Sequence, residues 1–280
     1  MRVLLPAHRG LPVLVAAALL LLLADTASAQ LRPLDPAEWR VWDPGRSFVA
    51  GVGGGAFSDQ RASLAGTEGQ LLEAGNFSIA LRTGRVAFEA GGTVQRFFRD
   101  DRSFAVPHDD TRPQPDGRRH DSGDYRIATV VRLTPATAPA LAVLRFGTRL
   151  PTTDNEVGLD RDQVDFFALV GGRLRRGALM MAAEAGLAIN GTRDPEFEQS
   201  DVFVYTVTSE YSISPALVTR LSLVGQVEGT PFSIRGNEEL GEARLGIRVG
   251  DQRWVRAELV RGYSSFSPSA GLIVSAGIAR

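Results

Sequence analysis

From residue 44 onward the chain alternates apolar and polar residues in short stretches that recur along its whole length. The clearest stretch is 178–190. Leu179, Met181, Ala183, Ala185, Leu187 and Ile189 fall on one side, and Met180, Ala182, Glu184, Gly186, Ala188 and Asn190 on the other. A period of two belongs to an extended strand, whose successive side chains point to opposite faces. Twelve strands are predicted on this basis, near 46–57, 72–82, 85–98, 123–133, 140–150, 163–174, 178–190, 201–212, 216–228, 238–249, 253–263 and 269–280.

The gaps between these strands alternate in length. Short connections are expected at 83–84, 134–139, 175–177, 213–215 and 250–252, and longer ones at 58–71, 99–122, 151–161, 191–199, 229–237 and 264–268. An even number of strands puts all the short connections at one end and all the long ones at the other. A soluble β-sandwich has no reason to sort its loops this way, whereas outer-membrane barrels have short periplasmic turns and longer extracellular loops. The 236 residues after position 44 leave room for twelve strands of the ~9–11 residues that a tilted transmembrane strand needs. The expected fold class is all-β: a single antiparallel transmembrane β-barrel of about 12 strands over residues 45–280.

The first 29 residues read as a signal peptide. Arg2 and Arg9 precede an apolar core at 11–24, and Ala27-Ser28-Ala29 is a small-residue cleavage site, so Gln30 is the expected mature start. The apolar run falls short of the ~20 residues of a spanning helix. The expected location is therefore the cell outer membrane, after cleavage near Ala29. Outer-membrane lipid and the barrel-assembly machinery are the expected partners. Residues 30–44, with Pro33, Pro36, Pro44, Trp39 and Trp42, are expected to form an irregular lead-in on the periplasmic side.

The alternation assigns faces. In the third strand Val86, Phe88, Ala90 and Val94 are expected outward, and Glu89, Thr93 and Gln95 inward. The inward positions of later strands carry both signs of charge. Arg126, Arg132, Arg145, Arg149, Arg220, Arg244, Arg248 and Arg256 stand against Asp124, Asp165, Glu184, Glu210, Glu228, Glu242 and Glu258. The candidate lumen-lining set is Arg126, Arg132, Arg145, Arg149, Asp165, Glu184, Arg220, Glu228, Glu242, Arg244, Arg256 and Glu258. Such charges either line a path or pair across a modest lumen and fill it.

The net charge of -1 gives no push toward nucleic acid, and the absence of cysteine excludes disulfides, thiolate catalysis and cysteine-bound zinc. All 31 cationic residues are Arg. Gly51-Val52-Gly53-Gly54-Gly55-Ala56 resembles a dinucleotide-binding fingerprint, but no βαβ unit surrounds it, and glycines of a curved strand account for it. His108 with Asp109 and Asp110, and His120 with Asp121, are metal-ligand types in the longest polar insert, where no regular element fixes their geometry; they read as solvated loop residues. With neither histidine expected on a strand, a Ser-His dyad is hard to build. No enzymatic activity, cofactor or metal is expected.

Residues 146–173, FGTRLPTTDNEVGLDRDQVDFFALVGGR, run from a strand into Leu150-Pro151-Thr152-Thr153-Asp154, then a Gly- and Asp-containing loop, then Asp165 at the start of the next strand. This segment resembles the outer-membrane barrel family labelled for the MetA pathway of phenol degradation, whose usual form is Leu-Pro-Thr-Gly-Asp; Thr153 stands where that Gly would be. The resemblance implies a barrel that helps small, often aromatic or apolar, compounds cross the outer membrane, and it brings no catalytic residues. The expected function is a passive channel or uptake protein for small molecules. The alternatives are a structural or surface-interaction barrel with a charge-plugged lumen and, less favoured, an outer-membrane enzyme.

Overall fold

The computed structural model describes residues 31–62, 65–103, 117–152, 157–160, 163–191, 199–228, 239–264 and 266–280. The signal segment 1–29, His108 with Asp109 and Asp110, Thr153 with Asp154, and most of the connections at 191–199 and 229–237 lie outside the described residues.

The strands are β1 (Phe48–Ala62), β2 (Thr67–Thr83), β3 (Val86–Ser103), β4 (Arg118–Asp121), β5 (Tyr125–Arg132), β6 (Ala140–Leu150) and β7 (Asp165–Arg176). They continue with β8 (Leu179–Gly191), β9 (Gln199–Ser214), β10 (Leu217–Glu228), β11 (Leu240–Val249), β12 (Arg253–Gly262) and β13 (Ala270–Ala279). Every pairing is antiparallel, and β13 returns to β1 from Val49↔Ala279 to Ser58↔Ala270, so the sheet closes. The short β4 and β5 both pair with β3, one beyond the other. The gap between them is bridged by hydrogen bonds from Thr93 N–H to the Asp124 carbonyl at 3.3 Å and from Gly123 N–H to the Thr93 carbonyl at 3.0 Å. They occupy one place in the wall, which makes a closed twelve-stranded antiparallel barrel.

The barrel is inside-out relative to a soluble protein. Outward Leu187, Val170 and Leu259 are 58%, 61% and 63% exposed, whereas inward Glu242, Glu184 and Arg145 are 0%, 2% and 3% exposed. β1, β2, β3 and β9 reach further toward the long connections than the alternation suggested, whereas β5, β7, β11 and β13 begin one or two residues later than expected. β3 runs to Ser103 and β4 lies within the insert expected as loop at 99–122, so His120 is on a strand after all, facing out. Polar cross-strand contacts extend the ladder there: Arg119 Nε to Asp100 at 3.2 Å, the Thr67 hydroxyl to Asp100 at 2.8 Å and Arg61 to Glu68 at 2.8 Å.

One face assignment slips. Gln95 pairs with exposed Ala74, while Arg96 pairs with buried Glu73 and points in. The cause is Gly75, whose φ of +70° only glycine adopts freely and which breaks the period of two in β2 opposite Val94. The glycine run of β1 has a different reason. A Cβ on Gly51 would lie 2.8 Å from the Trp254 ring, and one on Gly277 of β13 2.5 Å from it, so the indole takes the space that bare backbone leaves.

The interior is filled largely by the chain itself. Residues 30–44 were expected as an irregular lead-in on the periplasmic side, but residues 31–43 run within the ring; by Ser47, whose N–H donates to the Arg280 carbonyl at 2.7 Å, the chain has joined the wall. Leu31 is buried with Phe57, Leu71, Phe98 and Val260 near the long connections. Leu34 packs at mid-height against Ala128, Phe167, Leu169, Ala188 and Val204. Ala37, Trp39, Val41 and Trp42 close the end with the short turns, together with Val49, Ala80, Val143, Met180 and Ala279. Trp39–Trp42 forms one 3-10 turn, with the Glu38 side chain accepting from Arg40 N–H. Apolar residues on this segment would be solvated outside the barrel; inside they bury against the small and branched residues of the inner wall.

Candidate functional site in the lumen

The segment 31–43 is held by polar groups that the strands present on inward positions around the ring. Arg32 makes a two-pronged contact with Glu242 of β11, Nε at 2.6 Å and a terminal nitrogen at 2.9 Å, and reaches Glu73 of β2 at 3.3 Å. Asp35 accepts from Arg244 of β11 at 2.6 Å and from Arg126 of β5, while its carbonyl accepts from Arg145 of β6 at 3.0 Å. The Ala37 N–H donates to Glu184 of β8 and the Glu38 N–H to Glu89 of β3, each at 2.8 Å. Lower down, Arg173 of β7 donates to the Trp39 carbonyl and to Asp43, each at 2.7 Å. Arg82 of β2 donates to the Val41 carbonyl at 2.8 Å and the Arg46 carbonyl at 2.5 Å. Only a chain inside the ring meets partners from so many strands at once. The irregular backbone here has no ladder, so these side chains satisfy groups that burial would otherwise orphan.

The wall charges pair among themselves as well. Arg145 contacts Glu89 at 2.9 Å and Glu184 at 3.6 Å. Arg96 joins Glu73 at 3.2 Å with Asp124 and Asp160 at 3.3 Å, and Arg149 joins Asp124 at 3.3 Å, Asp160 at 3.5 Å and Asp165 at 2.5 Å. Asp160 comes from the connection expected at 151–161. Residues 157–160 dip into the mouth, with Leu159 and Asp160 buried and the Val157 carbonyl accepting from Arg119 at 2.8 Å. Two guanidiniums approach the Trp254 ring, Arg40 at 5.2 Å and Arg256 at 5.4 Å from its centre. A cavity of about 220 Å³ remains beside the segment, and Asp35, Asn76, Arg126, Asn190 and Gln226 reach it.

The sequence-derived candidates divide by height. The structure brings Arg126, Arg145, Arg149, Asp165, Glu184, Glu242 and Arg244 into this network. Arg220 approaches Glu258 at 3.8 Å and Arg256 approaches it at 3.3 Å, as a satellite on β10 and β12. Arg132 is apart from it; its guanidinium binds the Thr134 and Pro135 carbonyls at 3.1 and 2.8 Å, at the short-turn rim. Glu228 ends β10 at the opposite rim. Arg32, Asp35, Glu73, Arg96 and Asp160 were not among the candidates. The available signal was composition: Leu34, Trp39 and Trp42 are costly in a solvated lead-in. Chemically the arrangement fixes and neutralises. Its charged groups are committed to one another or to the segment, and among the described residues no group of three or more His, Asp or Glu could hold a metal ion.

No family model matches the chain, so the resemblance of residues 146–173 to the phenol-degradation family gains no support, and no curated protein matches it. Solved structures with a similar outline are outer-membrane barrels. The translocator domain of the autotransporter NalP from Neisseria meningitidis shares 12% identity, with a TM-score of 0.45 over 84% of this chain and 87% of that one. The outer-membrane channel DcaP of Acinetobacter baumannii shares 11%, with a TM-score of 0.43 over 84% and 96%. Outer-membrane phospholipase A from Escherichia coli shares 11%, with a TM-score of 0.41 over 89% and 95%. At these values the likeness says nothing about activity.

Proposed function

We propose that this protein is an outer-membrane barrel whose lumen is closed at rest by its own residues 31–43, and that small polar solutes pass when that segment leaves. One observation carries the reading: apolar side chains cover the outer wall, while a segment of the same chain is ion-paired and hydrogen-bonded to strands around the inner wall. An apolar outer belt with a charged interior suits a bilayer, since a closed barrel leaves no backbone group unpaired in hydrocarbon. Twelve strands spaced ~4.8 Å and tilted ~40° give a barrel about 24 Å across between backbones. Inward side chains on both sides then leave space for little more than one further chain, which the segment takes. Once vacated, the lumen would present Glu73, Arg126, Glu184, Glu242 and Arg244, a lining that favours polar over apolar solutes.

Planar-bilayer recordings test this. The mature chain is expected to be mostly closed, and a variant lacking residues 31–44 to conduct steadily. A folded deletion variant, with heat-modifiable gel mobility, that passes no ions or solutes would remove the channel reading and leave a structural barrel.

A further inference from the structure

We infer that the outer wall of β1–β4 carries a seat for the phosphate headgroup of a membrane lipid, in the leaflet next to the long connections. The strand register lays out two outward rows. Ala56, Leu72, Phe97 and His120 stand side by side across the four strands. The next row toward the long connections is Gln70, Arg99 and Arg118. All of these side chains are exposed, and they line an open groove of about 660 Å³ on the outside of the barrel.

The order of chemistry matches a lipid and not a free ion. Arg99 and Arg118 are directly opposite each other, ~4.8 Å apart in backbone spacing. Like charges so placed repel, and an anion that both forks grip lowers that cost. Arg99 also reaches Asp101 at 3.3 Å, and both of those side chains are substantially exposed. Arg118 has an interaction of its own. The seat therefore rests on the adjacency of two guanidinium forks, which suit phosphate oxygens, and not on an unpaired charge. Two residues further into the apolar belt, ~7 Å away, Leu72 and Phe97 are 51% and 45% exposed beside the small Ala56. A headgroup on the upper row places acyl chain on the lower one. A soluble phosphate would use the upper row alone. His120, at the end of the lower row, adds a ring donor at the boundary.

The seat rests on the membrane reading proposed above, and its test is separable from it. The mature barrel in detergent is titrated with phosphatidylglycerol and adducts are counted by native mass spectrometry. Each basic residue near an anionic lipid surface contributes enough that the double variant R99Q/R118Q is expected to bind about 30-fold more weakly. The double variant R176Q/R253Q, exposed arginines at the short-turn rim, is expected to bind as the parent does. Diacylglycerol should give no comparable adduct, and excess inorganic phosphate should not displace the lipid. Undiminished binding by R99Q/R118Q, equal binding of diacylglycerol, or displacement by inorganic phosphate each overturns the seat. If all variants keep heat-modifiable mobility in those cases, the membrane barrel stands and only the seat fails.

Discussion

Arg32→Ala is the sharpest probe of how residues 31–43 are held. Arg32 contributes the two-pronged contact to Glu242 and a third bond to Glu73, with its side chain 10% exposed and that of Glu242 fully buried. Glu242 keeps its 2.8 Å bond from Arg244 in the variant, so no carboxylate is stranded and the loss is that of the docking contact itself. A charge-assisted contact of this kind is worth about 1.5–3 kcal/mol, which is about a 10- to 150-fold rise in the population with the segment released. The absence of cysteine permits a direct assay. Ala37→Cys places one thiol at a position 4% exposed, in the middle of the segment. Its labelling by a membrane-impermeant maleimide then reports release. The expected result is slow labelling in the A37C parent and a rate raised by about that factor in R32A/A37C. Because the contact is buried, the parent rate should depend only weakly on salt. Two results would refute the reasoning: A37C labelling as fast as a thiol at exposed Asp251, or a rate in R32A/A37C equal to that of the parent.

Other outcomes follow from the same geometry. Leu259→Arg, at an outward position 63% exposed, should cost about 2–4 kcal/mol in vesicle unfolding if it faces mid-bilayer, and close to nothing if it faces water. Gly277→Ala puts a methyl 2.1 Å from the Ala50 carbonyl and 2.5 Å from the Trp254 ring, at the seam where the barrel closes; overpacking of about 1–3 kcal/mol should show as less heat-modifiable, folded protein. Arg145→Leu takes the guanidinium from Glu89 and Glu184, which keep N–H and O–H donors but lose this ion pair, and should destabilise the barrel by about 3 kcal/mol in denaturant titrations, more than Arg132→Leu at the rim. Neutralising Arg145 and Arg149 together should change ion selectivity in the variant lacking 31–44, where both face the path, and not in the occasional openings of a chain whose segment stays docked.

Much of the wall was legible because the signal is local. Leu187 beside Ala188 and Arg145 beside Phe146 declare opposite faces from sequence neighbours alone, and the lengths of 83–84 or 250–252 against 99–122 sort the two ends without any knowledge of contacts. The same locality explains the misses. Arg96 was missed because one left-handed glycine in the neighbouring strand, Gly75, shifts the period, and that is visible only once β2 and β3 are paired. His120 was placed in a loop because β4 is too short to show a period; its strand character comes from its partners on β3.

By itself, then, the sequence determined that strands form, which way their side chains point, and that an even series of them alternates short and long connections. Tertiary structure decided what occupies the interior. Residues 31–43 have no periodicity to read, and their partners lie far along the chain; the Arg32–Glu242 contact spans 210 positions. Those carboxylates and guanidiniums sit on strands all around the ring, so they surround the segment because β13 pairs with β1. Closure creates an enclosed space of low dielectric, in which pairing with an irregular chain is worth more than leaving either side in water.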